Sequence, residues 1–173
     1  MNLFLIGYRG SGKTTVAAVL AELLHWPWSD ADAELERRAG MTIKQIFAEQ
    51  GEPAFRDLES MVLQDLAARD SHVVALGGGI VLRPENRRLL KDRGKTVWLQ
   101  ASPEELLNRI NNDATTSDRR PNLTGQGGLA EIRTLLENRT PLYADCADLT
   151  IDAENKSPAE IARQIIAELE LNN

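Results

Sequence analysis

Hydrophobic residues along this chain fall into two spacings. Residues 3–6, 73–76, 96–99 and 149–151 are short, largely apolar runs, each of a length suited to a strand buried on both faces. Between them apolar positions recur every three or four residues. Val16, Leu20, Leu23 and Leu24 make one such stripe, and Phe55, Leu58, Val62 and Leu66 make another. Leu106, Leu107 and Ile110, then Ile132, Leu135 and Leu136, and finally Ile161, Ile165 and Leu169 repeat the pattern. Strand and helix signals thus alternate to the end. This predicts βαβ units: a parallel sheet covered by helices on both faces, an α/β fold of three layers.

Boundary residues refine the reading. A short second strand is expected before Asp30-Ala31-Asp32, although Pro27 weakens it. His25, Trp26 and Trp28 read as helix-end packing. A helix over 33–39 stops at Gly40; Thr42 and Gln45 form a capping box for the next, which runs to about Gln50 before Pro53 opens a longer one. Pro84 starts a helix that Gly94 stops, and Ser102-Pro103-Glu104-Glu105 is a strong helix start. The helix from about Leu129 is expected to end near residues 139–143, and Ser157 with Glu160 forms a second capping box. Residues 111–128 lack apolar periodicity and carry Arg119-Arg120-Pro121. A polar segment that long inside one compact domain of 173 residues reads as a lid, and its paired arginines suggest an anion to cover.

The strongest chemical signal follows the first strand. Gly7-x-x-x-x-Gly12-Lys13-Thr14 stands between an apolar strand and an amphipathic helix, the context that a phosphate-binding loop requires. Glycines let backbone N–H groups face phosphate oxygens, and the helix start adds a favourable dipole. Gly10, Ser11, Gly12, Lys13, Thr14 and Thr15 are therefore expected to hold a nucleoside triphosphate. Lys13 would reach the β- and γ-phosphates, and Thr14 would offer its hydroxyl to Mg²⁺. Asp30 and Asp32 follow a strand end, where open α/β sheets bind ligands. Asp30 is a candidate for Mg²⁺ and Asp32 for accepting a proton from an attacking hydroxyl; capping the following helix is the competing role for Asp32. By periodicity alone Arg56 and Arg109 are surface arginines. Gly77-Gly78-Gly79 is more glycine than a turn needs, which suggests bare backbone close to a ligand. The loop 152–158 also lies at a strand's C-terminal end, in position to border a nucleotide.

Composition narrows the partners. At 42% hydrophobic and 27% charged, the chain has the make-up of a soluble globular protein. A net charge of −6 argues against a nucleic-acid surface, so an anionic ligand must be held by local arginines. Cys146 is the one cysteine; no disulfide can form within the chain, and the residue reads as packing. No run is long enough for a signal peptide or a membrane span. A monomeric cytoplasmic enzyme is the expectation.

Taken together, residues 7–14, Asp30-x-Asp32, Phe55-Arg56, Gly77-Gly78-Gly79, Arg120-Pro121 and Arg139-x-Pro-Leu-Tyr143 resemble the shikimate kinase family in order and spacing over nearly the whole chain. The resemblance implies a nucleoside-monophosphate-kinase-like fold with a five-stranded parallel sheet of order 2-3-1-4-5. It implies transfer of the ATP γ-phosphoryl to the 3-hydroxyl of shikimate with Mg²⁺, a step of chorismate and aromatic amino-acid biosynthesis. It assigns Asp32 to the shikimate hydroxyls as base and Asp30 to the Mg²⁺ side. Arg56 and Arg139 are assigned to the shikimate carboxylate, and Gly78 and Gly79 to backbone contacts with the acid. Arg120 of the lid is assigned to the phosphates, Arg109 and Pro158 to the flanks of adenine, and helices over about 31–62 to substrate binding. Ala31 departs from the small hydroxyl residue common between the paired acids. Gluconate kinase and nucleoside monophosphate kinases share the expected fold, but the two arginines favour a hydroxylated carboxylic acid. A guanine-nucleotide switch is a further alternative; the chain lacks its Asn-Lys-x-Asp, the nearest string being Asn155-Lys156-Ser157-Pro158.

Overall fold

The computed structural model describes residues 1–113 and 122–171. Five parallel strands, β1 (Asn2–Ile6), β2 (Trp28–Asp30), β3 (Val73–Ala75), β4 (Gly94–Gln100) and β5 (Leu149–Asp152), form one sheet of order β2-β3-β1-β4-β5. This is the 2-3-1-4-5 order that the resemblance implies. Among the described residues the helices are α1 (Lys13–Leu24), α2 (Ala31–Ala39), α3 (Ile43–Ala67), α4 (Pro84–Arg93), α5 (Pro103–Asn112), α6 (Gly128–Cys146) and α7 (Pro158–Glu168).

Alternation along β1 builds both layers. Leu3 and Leu5 join a core with Val16, Leu20, Ile161 and Ile165, which places α1 and α7 on one face. Phe4 and Ile6 join a core with Leu35, Ile46, Phe55, Leu63, Leu90 and Tyr143, which places α2, α3, α4 and α6 on the other. These four apolar side chains of β1 are fully buried, each worth about 1.5–3 kcal/mol relative to exposure. The central strand is therefore anchored on both faces, and the loop leaves from its C-terminal end.

The helices differ from the sequence expectation at several ends. α2 begins at Ala31, not residue 33, because Asp30 supplies the cap: its Oδ1 accepts from the Asp32 and Ala33 N–H groups at 2.9 and 3.1 Å. The two expected helices before and after Pro53 are both present; they share the label α3 but meet at a kink at Gly51, whose φ of 82° and ψ of 171° are non-helical. Gly94 opens β4 as well as closing α4: β1 runs so close that a Cβ there would lie 2.1 Å from the Asn2 carbonyl oxygen. α6 runs on through Pro141 to Cys146, past its expected end. Both capping boxes are present, at Thr42 and Ser157. Ser102 caps α5, but Glu105 turns its carboxylate to Arg109, and the Ser102 N–H donates to Glu154 instead. Cys146 is buried; burial, with Asp145 beside it, pushes its thiol up to about 11, as suits a packing residue.

Candidate active site

The glycine loop joins β1 to α1. Gly7 has a φ of +141°, and a Cβ on it would lie 2.5 Å from the Leu99 carbonyl oxygen, so the loop folds this tightly only with glycine. Gly12 precedes α1, and no side chain caps that helix start. Its first-turn N–H groups and dipole therefore face the cleft, an anion-binding arrangement. Lys13 Nζ donates to the Gly7 and Tyr8 carbonyls at 2.8 and 2.9 Å, and to Ser11 Oγ at 3.4 Å. The ammonium is thus held at the mouth of the loop.

A cleft of about 450 Å³ opens above this loop, lined by Gly10, Gly12, Lys13, Thr14, Thr15, Asp30, Asp32 and Arg109 among others. Ser11 does not line it; its side chain is buried inside the loop. Thr14 Oγ1 donates to Asp30 Oδ2 at 2.6 Å. One hydroxyl and one carboxylate, both hard oxygen donors, thereby meet at the loop. That is a fit for Mg²⁺, which takes few protein ligands and keeps phosphates and waters as the rest. Among the described residues no three His, Cys, Asp or Glu side chains cluster into a metal cage. Asp30 spends one oxygen on the α2 cap and the other on Thr14, while Asp32 lines the cleft.

A small second cavity of about 30 Å³ adjoins the cleft, sharing Arg9, Ile43 and Gly78 with it. Arg56, Arg139, Gly78 and Gly79 converge there. Arg56 is buried, contrary to its periodicity. Its guanidinium lies directly on the Gly79 backbone, where a Cβ would stand 2.1 Å from Nη1. Glu59 accepts from Nη1 at 2.8 Å, Glu52 from Nη2 at 3.1 Å, and the Phe55 ring lies 5.0 Å below Cζ. Burial raises the Glu59 carboxyl above the usual carboxylate range, against the pull of Arg56, then Arg139 and Arg83. Arg139 is also buried, and among the described residues it donates no hydrogen bond to another side chain or carbonyl. Two buried guanidiniums facing one cavity beside a phosphate loop are suited to a small carboxylate.

Arg109, unlike an ordinary surface arginine, bridges to the β5–α7 loop: its Nη2 donates to the Ala153 carbonyl at 2.7 Å and its Nε to Glu105 at 2.6 Å. Pro158, at the first turn of α7, does not line the cleft. Arg119, Arg120 and Pro121 lie outside the described residues. α5 runs to Asn112, so the first two residues of the expected lid segment are helical. On its far side Glu131, buried in the first turn of α6, accepts from the Thr124 N–H and lines the small cavity. No local periodicity marks Glu59, Glu131 or Arg9; the tertiary fold sets Glu59 against Arg56 and places Glu131 and Arg9 on the small cavity.

The family model described as shikimate kinase matches residues 9–170. A shikimate kinase of Rhodopirellula baltica is 44% identical over 165 residues, 95% of this chain and 88% of that protein. The structure of a shikimate kinase from Acinetobacter baumannii in complex with shikimate superposes with a TM-score of 0.91 at 38% identity, covering 99% of this chain and 95% of that one. A gluconokinase from Sinorhizobium meliloti shares the fold alone, with a TM-score of 0.61, 20% identity and coverage of 98% and 91%.

Proposed function

The chain belongs to the shikimate kinase family, and on that premise we propose how its residues divide the transfer of the ATP γ-phosphoryl to the 3-hydroxyl of shikimate, giving shikimate 3-phosphate and ADP. The observation that carries the reading is the convergence of Arg56 and Arg139 on a cavity that shares Gly78 with the phosphate-loop cleft. The carboxylate of the acid lies between the two guanidiniums, with the Gly78 and Gly79 backbone beside it. Its ring then points from the small cavity into the cleft, bringing a hydroxyl to Asp32. Asp32 accepts that hydroxyl's proton as the oxygen bonds to phosphorus. Gly10, Gly12, Thr15 and the Ser11 backbone cradle the phosphates, while Lys13 holds the β- and γ-oxygens. Thr14 and Asp30 would hold Mg²⁺, which would supply charge neutralisation at the phosphate oxygens. Arg109 flanks adenine at the edge of the β5–α7 loop with Pro158, and Arg120 reaches the phosphates from the lid.

We assign the enzyme to the cytoplasm as a monomer. A single buried thiol, which can form no disulfide within the chain, supports a reducing compartment. The test is ADP release with Mg·ATP and shikimate, gluconate or nucleoside monophosphates offered in parallel. Shikimate alone is expected to sustain turnover; preference for gluconate would move the chain to the neighbouring activity.

Arg56→Lys tests the clamp while keeping a cation beside buried Glu59. It loses the bidentate fork, so shikimate KM should rise about 10–100-fold, the value of one charge-assisted hydrogen bond, with ATP KM little changed. Equal losses for both substrates would remove Arg56 from the acid site. Gly79→Ala should act in the same direction, since its Cβ would displace the guanidinium from 2.1 Å. An unchanged shikimate KM in that variant would mean that the Arg56 position is not what the acid reads.

A further inference from the structure

The triple glycine ends in a tight turn. The Ile80 N–H donates to the Gly77 carbonyl at 3.1 Å, so Gly78 and Gly79 occupy the two central positions. Gly79 has a φ of −94° and a ψ of 2°, the third-position values of a type I turn. A type II turn differs chiefly by a flip of the central peptide, here the one joining Gly78 to Gly79, and it requires positive φ at the third position. Glycine there makes that flip cheap. No other residue fits, because the Arg56 guanidinium occupies the place of a Cβ at position 79. The contact that lets Arg56 reach the cavity therefore leaves the neighbouring peptide free to turn over.

One side chain opposes the flip. Tyr143, fully buried on α6, donates its hydroxyl to the Gly78 carbonyl at 2.5 Å. Its ring is fixed against Trp98, with centroids 5.4 Å apart. Arg139 is one helical turn earlier on the same face, and its Nη1 would lie 3.5 Å from a Cβ at Gly78, as would the Tyr143 hydroxyl. In a trans peptide the C=O and N–H point in opposite directions, so holding the Gly78 oxygen on Tyr143 fixes where the Gly79 N–H points. Flipped, the carbonyl would leave Tyr143 and change the polarity that this peptide presents beside the two guanidiniums, to the disadvantage of an anion.

We propose that Tyr143 is a positioning residue for the acid substrate: its hydroxyl selects the type I form of the Gly77–Gly78–Gly79–Ile80 turn. The proposal rests on reading the small cavity as the acid site, and its test separates the two. Tyr143→Phe keeps the ring on Trp98 and removes only the hydroxyl. In a crystal structure of this variant the Gly78–Gly79 peptide should be flipped, with Gly79 at positive φ. Shikimate KM should rise about tenfold, the value of one hydrogen bond, with ATP KM and the thermal midpoint little changed. A variant crystal with Gly79 still near its present φ, or a shikimate KM within about twofold of the parent, overturns the proposal. Absence of shikimate turnover by the parent enzyme instead sinks the reading of the cavity, and the turn geometry still decides the role of Tyr143.

Discussion

Asp32→Asn should lower kcat by about 10²–10⁴-fold with a much smaller change in shikimate KM, the range for loss of a positioned general base. The substitution is nearly isosteric, so it keeps the shape of the cleft and a hydrogen-bonding group toward the acid's hydroxyls. What it removes is the capacity to accept a proton as the oxygen–phosphorus bond forms. The neighbouring carboxylate offers no substitute. Asp30 has one oxygen on the α2 cap, at 2.9 and 3.1 Å from two backbone N–H groups, and the other on Thr14 at 2.6 Å. Asp30→Asn keeps an oxygen for the α2 cap and loses the charge, so it should weaken the affinity for Mg²⁺ with little effect on capping, a different signature from that of Asp32. Steady-state kinetics over shikimate concentration separate the roles. A variant with parental kcat and a greatly raised shikimate KM would reduce Asp32 to a binding group.

That division between the two acids illustrates what the sequence conveys and what it does not. The strand, glycine loop and amphipathic helix are contiguous, so the donor site is legible from a dozen residues. The layer architecture is legible for a similar reason: apolar spacing in β1 and its neighbours repeats local geometry. Which aspartate caps α2 depended on the chain direction at the end of a three-residue strand: Asp30 takes the role that the sequence offered as the alternative for Asp32. Arg56 looked like a surface residue because the apolar stripe of α3 excludes it. It is buried because Gly79, 23 positions later, offers a flat backbone surface and Glu59 a compensating charge. Such cross-chain contacts leave no periodic trace. Continuation of α6 through Pro141 was likewise invisible: proline argues for a stop, and the packing of Tyr143 and Cys146 outweighs it. Family resemblance singled out Arg56, Arg139, Gly78 and Gly79, which the structure brings to one cavity, but not Glu59 or Glu131.

Lys13→Ala should lower kcat by about 10²–10³-fold at saturating ATP, comparable to removing one preorganised donor from a transition-state charge site. The preorganisation is visible in the loop itself. Two backbone carbonyls hold Nζ at 2.8 and 2.9 Å, so the ammonium need not be recruited from solvent when phosphate charge shifts. The same contacts mean that the lysine also braces the loop, and alanine would remove the brace along with the charge. Lys13→Met separates the effects, since it retains most of the stem but no ammonium. Loss through transition-state charge predicts that both variants fall together in kcat while their thermal midpoints differ. Loss through loop collapse predicts that methionine recovers kcat in proportion to stability. The geometry favours the first outcome, because the loop is already anchored by buried β1 and by the close approach of Gly7 to Leu99. Near-parental kcat in both variants would remove Lys13 from the chemistry and leave the helix start and backbone amides to carry the phosphate charge.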